Sequence, residues 1–273
     1  MIMEKKRILF IGAHPDDADI LCGGTALKLA KAGHAVKFVS VTNGDTGHHV
    51  LSREETARIR KGEALASAKY AGLYEYEVMD NPCGIEASVE NRRKILRVIR
   101  RFAPDVVISH RTCDYHPDHR ATAQLVQDCA YVCMVPHFCE DTPIPEKAPV
   151  FALSYDGFQD PRPHRADAAI EFDSILEEKL HMMSNHASQF FEWLPWVAGN
   201  KTVCETGMTE EEKRQSMLSV LLRFETAADG ARELLKRVHG EEIGTKIRFA
   251  ETFEQSPYSR VVSVEEFQKL LEP

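Results

Sequence analysis

The chain has 273 residues, enough for one large α/β domain or for a domain with an appended lobe. Hydrophobic residues make up 43% and charged residues 28%, an ordinary balance for a soluble globular protein. The formal net charge of -8 argues against a protein whose main task is gripping nucleic acid, and no segment approaches the roughly 20 apolar residues that cross a bilayer. Met1–Lys6 is short and polar, and the apolar run Ile8–Ala13 is too brief for a secretory leader. The seven cysteines are an odd count, which leaves at least one unpaired, so a reduced cytoplasmic protein is the expectation. Cys129, Cys133 and Cys139 fit no common zinc spacing, and the helical spacing of the first two points to core packing.

In chain order, Arg7–Ala13 (RILFIGA) is a short apolar run ending in Gly-Ala and reads as a buried strand. Ala18–Ala32 has helical periodicity through Leu21, Ala26, Leu27, Leu29 and Ala30, with Gly33 placed to stop it. Val36–Thr42 is a second strand, Asn43–Val50 a glycine-containing loop, Arg53–Tyr70 a long helix and Glu75–Met79 a third, weaker strand. Ser88–Phe102 is an amphipathic helix broken by Pro104, Asp105–Ser109 a fourth strand and His119–Val132 another helix. Four β-then-α units in a row imply a parallel sheet covered by helices on both faces, with right-handed crossovers. Beyond them the pattern is less regular. A proline-bearing connector spans Asp141–Pro149, a fifth strand Phe151–Tyr155 and a loop Gln159–His164. Helices are expected over Ser174–Gln189, Thr209–Ala228 and Ser263–Leu271, with Thr209 and Glu212 fitting a capping box. No repeat or second domain is visible, so residues 1–273 are read as one unit.

Two motifs carry chemistry. Ala13-His14-Pro15-Asp16-Asp17 follows the first strand directly, and His116-Pro117-Asp118-His119 follows the fourth. Proline suits the first turn of a helix, and residues three apart there face one way, so His14 can converge with Asp17, and His116 with His119. In a doubly wound sheet of order 3-2-1-4-5, strands one and four are neighbours where the order reverses, and ligands bind at their carboxyl ends. Imidazole and carboxylate suit zinc, with three protein ligands plus water, and two histidines with a carboxylate also suit ferrous iron. Such a metal polarises a carbonyl and acidifies its water. Asp16 is placed to act as general base, and a histidine held by an aspartate can stabilise an oxyanion or protonate a leaving nitrogen.

The first motif, with Cys22-Gly23-Gly24-Thr25, resembles the signature of the LmbE-like (PIG-L) N-acetylglucosaminyl deacetylases, and the second motif resembles that family's other signature. Thr42-Asn43-Gly44-Asp45 with Gly47 is similar to its glycine loop, Arg60 with Glu63 to its arginine-bearing helix, and Ala250-Glu251-Thr252-Phe253 to a C-terminal segment. The likeness covers about residues 7 to 130 well and the rest patchily. It implies a Rossmann-like fold and a zinc-dependent hydrolase of N-acetylglucosamine-containing substrates. By motif position it implies His14, Asp17 and His119 as metal ligands, Asp16 as general base, His116 as the oxyanion-stabilising or acid histidine, and Asp118 as the residue orienting it. Arg60 is implied to bind substrate. Asp114 stands where members making thiol-glycoside cofactors can have a tyrosine that aids the transition state and is taken, with Arg60 and His186, as a substrate-binding candidate; Asp19 stands where many members carry glutamate.

Around the middle of the chain, the predicted helix bearing His186 and Gln189 reads first as a solvated face, with the alternative that one of the two reaches the substrate mouth, and Phe190, Phe191, Trp193 and Trp196 read as core or subunit contact ahead of a sugar-stacking platform. The partner expected is a small N-acetylated molecule, with neither nucleic acid nor membrane, in a homo-oligomer. Two other readings of the same ligand triad stay open: a ferrous-iron oxygenase and a non-catalytic metal-binding module.

Overall fold

The computed structural model describes residues 5–201 and 207–273; residues 1–4 of the polar start and Cys204 lie outside them. Short runs rich in Val, Ile, Leu and Phe form β1 (Arg7–Gly12), β2 (Ala35–Ser40), β4 (Val106–Ser109) and β5 (Val150–Ser154), with the more polar β3 (Glu75–Val78) at the edge. These five pair in parallel in the order 3-2-1-4-5, as the alternating pattern requires.

Alternation along β1 divides the core in two. Ile8 and Phe10 share a cluster with Leu21 and Leu27 of α1 (Asp17–Lys31) and Ala64 of α2 (Arg53–Ala71). Leu9 and Ile11 join Ile95 and Ile99 of α3 (Val89–Phe102) and Leu125 and Val126 of α4 (Pro117–Val132). All four β1 residues are fully buried, so neither face of this central strand meets water. Cys129, Cys133 and Cys139 are buried in the second cluster, where burial pushes the Cys133 thiol up to about 11. Local signals fix the helix ends: Ser52 and Glu55 form a capping box for α2, and Gly72 closes it at φ 67°, a left-handed conformation that glycine adopts freely.

Two strands extend the expected sheet. β6 (Ala168–Glu171) and β7 (Ala250–Gln255) complete the order β3-β2-β1-β4-β5-β7-β6, with β7 antiparallel to both neighbours. The AETFEQ sequence of β7 looks like surface, yet all six residues are buried. Its glutamates are neutralised from outside the strand: Glu251 by Lys179 and by Gly24 and Thr25, Glu254 by Arg162 and the Arg165 N–H. Nothing local in the sequence announces those partners.

The irregular half also breaks helices that periodicity joined. Ser174–Gln189 divides into a 3-10 turn, α5 (Leu176–Ser184) and a π-helical stretch, Ser188–Trp193. Thr209–Ala228 becomes Glu210–Leu221, with the expected capping box, and Arg223–Gly230. Short helices at Leu194–Val197, Arg232–His239 and Glu241–Lys246 were not foreseen, while the last helix forms at Val264–Leu271. Among the described residues, no helix is long and apolar enough to cross a membrane.

Candidate metal centre and active site

β1 and β4 run side by side, Ile11 opposite Ser109, so the segments leaving their carboxyl ends meet. At the start of α1, Asp17 Oδ2 accepts the backbone N–H of Ala13 at 2.9 Å and of His14 at 2.7 Å, which folds the His-Pro-Asp-Asp segment around one carboxylate. Asp16, the residue before the helix, has φ 156°, a conformation that residues with a side chain rarely adopt and that clusters at functional sites.

Asp17 sits between the two predicted histidines. His14 Nδ1 is 3.6 Å from its Oδ2, and His119 Nε2 is 3.4 Å from its Oδ1. A second carboxylate stands behind each ring: Asp118 Oδ2 lies 3.2 Å from His14 Nε2, and Asp114 Oδ1 lies 3.1 Å from His119 Nδ1. Metal-ligating histidines are commonly oriented in this way, through the nitrogen that does not face the ion. Donor atoms of His14, His116 and His119, and of Asp17, His110 and His119, each fall within 4.8 Å of one another. Imidazole with carboxylate, packed this closely and flanked by orienting carboxylates, fits a divalent transition-metal ion.

The electrostatics follow the geometry. Burial disfavours charge on Asp17, but His119 and His110 outweigh it and hold the carboxyl well below the usual carboxylate range. Burial likewise opposes a proton on His14, and Asp118 and Asp17 hold that imidazole well above its usual range. Asp16 is also buried, and desolvation raises its carboxyl despite the opposing guanidinium of Arg60. His116 is pushed down to about 4 by burial and by His14 and His119. Its Nδ1 accepts the Asp118 N–H at 3.1 Å, which leaves the proton on Nε2.

Several residues take different places from those expected. The Asp118 carboxylate binds His14 and the N–H groups of Gly84 and Ile85, so it orients His14 rather than His116. Asp114, expected toward substrate, lines the cavity but is engaged by His119 and by the His116 N–H. Arg60 is buried and holds Asp16 Oδ1 at 3.0 Å, the Pro15 carbonyl at 3.3 Å and the Gly44 carbonyl at 3.1 Å. His186 does not reach the mouth: it is sealed from solvent, 3.1 Å from Asp19 and outside the cavity lining, because the chain turns between α5 and the π-helix. Gln189 and Trp193 line the cavity from that segment instead.

One residue escaped sequence reasoning. His110 is buried, its Nε2 3.2 Å from Asp17 Oδ2, and its ring stacks on His119 at 4.2 Å. The usable signal was position, since His110 is the first residue after β4, as Ala13 is after β1. His14, Asp16, Asp17, Arg60, His110, Asp114, His116 and His119 open on a cavity of about 470 Å³, within the range of small-molecule sites, while Asp118 stands behind its lining. Its walls include Thr46, Cys83, Tyr115, Tyr155, Phe158 and Arg223.

Comparison with known proteins bears on this geometry. A family model described as GlcNAc-PI de-N-acetylase (PIG-L) matches residues 9–130. A diacetylchitobiose deacetylase of Thermococcus kodakarensis is 29% identical over 206 residues, covering 72% of this chain and 76% of its own. A probable N-acetyl-alpha-D-glucosaminyl L-malate deacetylase of Bacillus anthracis is 27% identical over 215 residues, covering 76% and 90%. Among solved structures, the N,N'-diacetylchitobiose deacetylase of Pyrococcus horikoshii superposes with a TM-score of 0.69 at 24% identity, covering 93% of this chain and 85% of that one. A 4-carboxy-2-hydroxymuconate hydratase of Pseudomonas putida also reaches 0.69, at 20% identity, covering 94% and 98%. At such identities the structures speak for the fold alone.

Proposed function

We propose that the chain, whose residues 9–130 match the PIG-L family model, is a metal-dependent hydrolase of that family that removes an acetyl or other acyl group from the nitrogen of an N-acetylated amino sugar or related small amide. The observation that carries the reading is Asp17 flanked by two carboxylate-backed histidines, with Asp16 beside them in the same cavity. His14, Asp17 and His119 are the residues that hold the ion, with zinc the first candidate and iron or another divalent metal behind it. A bound ion of this kind supplies Lewis acidity toward the acyl carbonyl and its attacking water.

The remaining steps belong to side chains. Asp16 takes a proton from the attacking water and passes it to the departing nitrogen; burial raises its proton affinity, which suits a base that must become an acid. Arg60 keeps Asp16 in place and limits that rise. The Nε2–H of His116 is directed to the carbonyl oxygen as it becomes an oxyanion. Asp114 and Asp118 act through the histidines they orient. Products are the carboxylic acid and the amine in equal amounts, which separates this reaction from water addition by a hydratase. A cytoplasmic setting accords with the free cysteines found among the described residues.

The test is release of amine and acetate from a panel of N-acetylated sugars, glycosides and acyclic amides. Release should stop with a chelator, return with zinc or another divalent ion, and persist without oxygen. A strict oxygen requirement would establish the oxygenase reading instead, and no turnover across the panel would favour the binding module.

A further inference from the structure

Phe190 of the π-helical segment is packed in the core with Phe191 against it, but Trp193 and the nearby Trp196 are not. Four rings lie nearly parallel: His48 on His49 at 4.8 Å and 21°, His49 on Trp196 at 4.8 Å and 12°, and Trp196 on Trp193 at 5.5 Å and 15°. Both tryptophans are only half-buried, and Trp193 lines the catalytic cavity while Trp196 backs it.

This wall is tied to the catalytic carboxylate through a short series of contacts. Glu63 of α2 accepts both the N–H and the hydroxyl of Ser188 at 2.7 Å and so fixes the start of the π-helix. Gln189 donates to the Gly47 carbonyl at 3.0 Å. A Cβ at Gly47 would collide with Arg60, which in turn pairs with Asp16. Gln189 and Trp193 are four residues apart on this helix, and both face the cavity. Glu192 meets His48 Nε2 at 2.9 Å, locking the ring stack to the glycine loop. π-helical turns of this sort recur at functional sites.

We propose that Trp193, backed by Trp196 and His49, is a stacking platform for the pyranose ring of the substrate, and hence a specificity-determining residue; the proposal rests on the amino-sugar reading above. A pyranose presents an apolar C–H face and a polar hydroxyl rim. An indole held flat by a second indole offers a wide apolar face with a negative quadrupole to the C–H side, and leaves the hydroxyls to polar groups elsewhere in the cavity. Acyclic amides gain nothing comparable from it.

The chain has two tryptophans, and both are in the stack, so tryptophan emission reports on this wall alone. The probes are methyl N-acetylglucosaminide and the acyclic N-acetylethanolamine, with the metal-loaded protein. Saturable change of emission with the glycoside is expected. Trp193→Ala should lower the preference for the glycoside over the acyclic amide roughly tenfold, through KM rather than kcat, and Trp193→Phe should restore most of it. An unchanged preference in Trp193→Ala overturns the platform, as does dissociation of an oligomer by that substitution, which would make the stack a subunit contact. Saturable emission change without acetate release would support the platform and sink the deacetylase reading. Acetate release without any emission response would do the reverse.

Discussion

Helix α1 touches two buried clusters of charge built on opposite principles. Beside its middle, Glu251 accepts from Gly24 N at 2.8 Å, Thr25 N at 2.7 Å, Thr25 Oγ1 at 2.6 Å and Lys179 Nζ at 2.5 Å. Lys179 also donates to the Ile20 carbonyl and sits over the Phe172 ring, and both charged side chains are wholly buried. That carboxylate is saturated and sealed. At the amino end of the same helix, Asp16 and Asp17 border an open cavity beside four histidines: His14, His110, His116 and His119. A buried charge with every lone pair used is structural, whereas one that keeps capacity beside a cavity is available for chemistry.

Mutations should separate the two. Asp16→Asn is expected to cost about 10²–10⁴ in kcat while leaving metal content and unfolding midpoint near wild type; steady-state kinetics with metal analysis checks this, and normal turnover would remove Asp16 from the mechanism. Glu251→Ala should destabilise by about 3–5 kcal/mol because it strands the Lys179 ammonium, and Lys179→Met combined with Glu251→Leu should recover much of that loss. Urea unfolding gives both values, and a mild single mutant would mean the cluster is less sealed than its contacts indicate. The smallest and most diagnostic effect is at the boundary between the two kinds. Asp118→Asn and Asp114→Asn should each weaken metal binding by about 10–100-fold in chelator competition, with little change in stability of the metal-free protein.

The same contrast explains what could be read from sequence. Regular alternation and the His-Pro-Asp spacing depend on neighbours along the chain, so strands one to five, their order and the approach of His14 and His119 to Asp17 were legible, while His110 was not. β7 was not, because Glu251 and Glu254 owe their burial to Lys179 and Arg162, which are 72 and 92 residues away. The histidine held by Asp118 was misassigned, and Asp114 was read toward substrate rather than toward His119, for a related reason. Spacing shows which residues lie on one turn, but not which of two adjacent imidazoles a carboxylate will meet. His186 followed helical periodicity into a segment where the helix changes pitch, and Ser188 at the start of the π-helix is held by Glu63, 125 residues away and invisible to local pattern.

The position of Gly47 has one further consequence. Wedged between Arg60 and the Gln189 side chain, with His48 and His49 pinned beyond it, the glycine loop has already surrendered its conformational freedom when the chain folds. A ligand entering the cavity meets a wall that needs no ordering, so the entropy that flexible binding loops lose on association is not charged against affinity here.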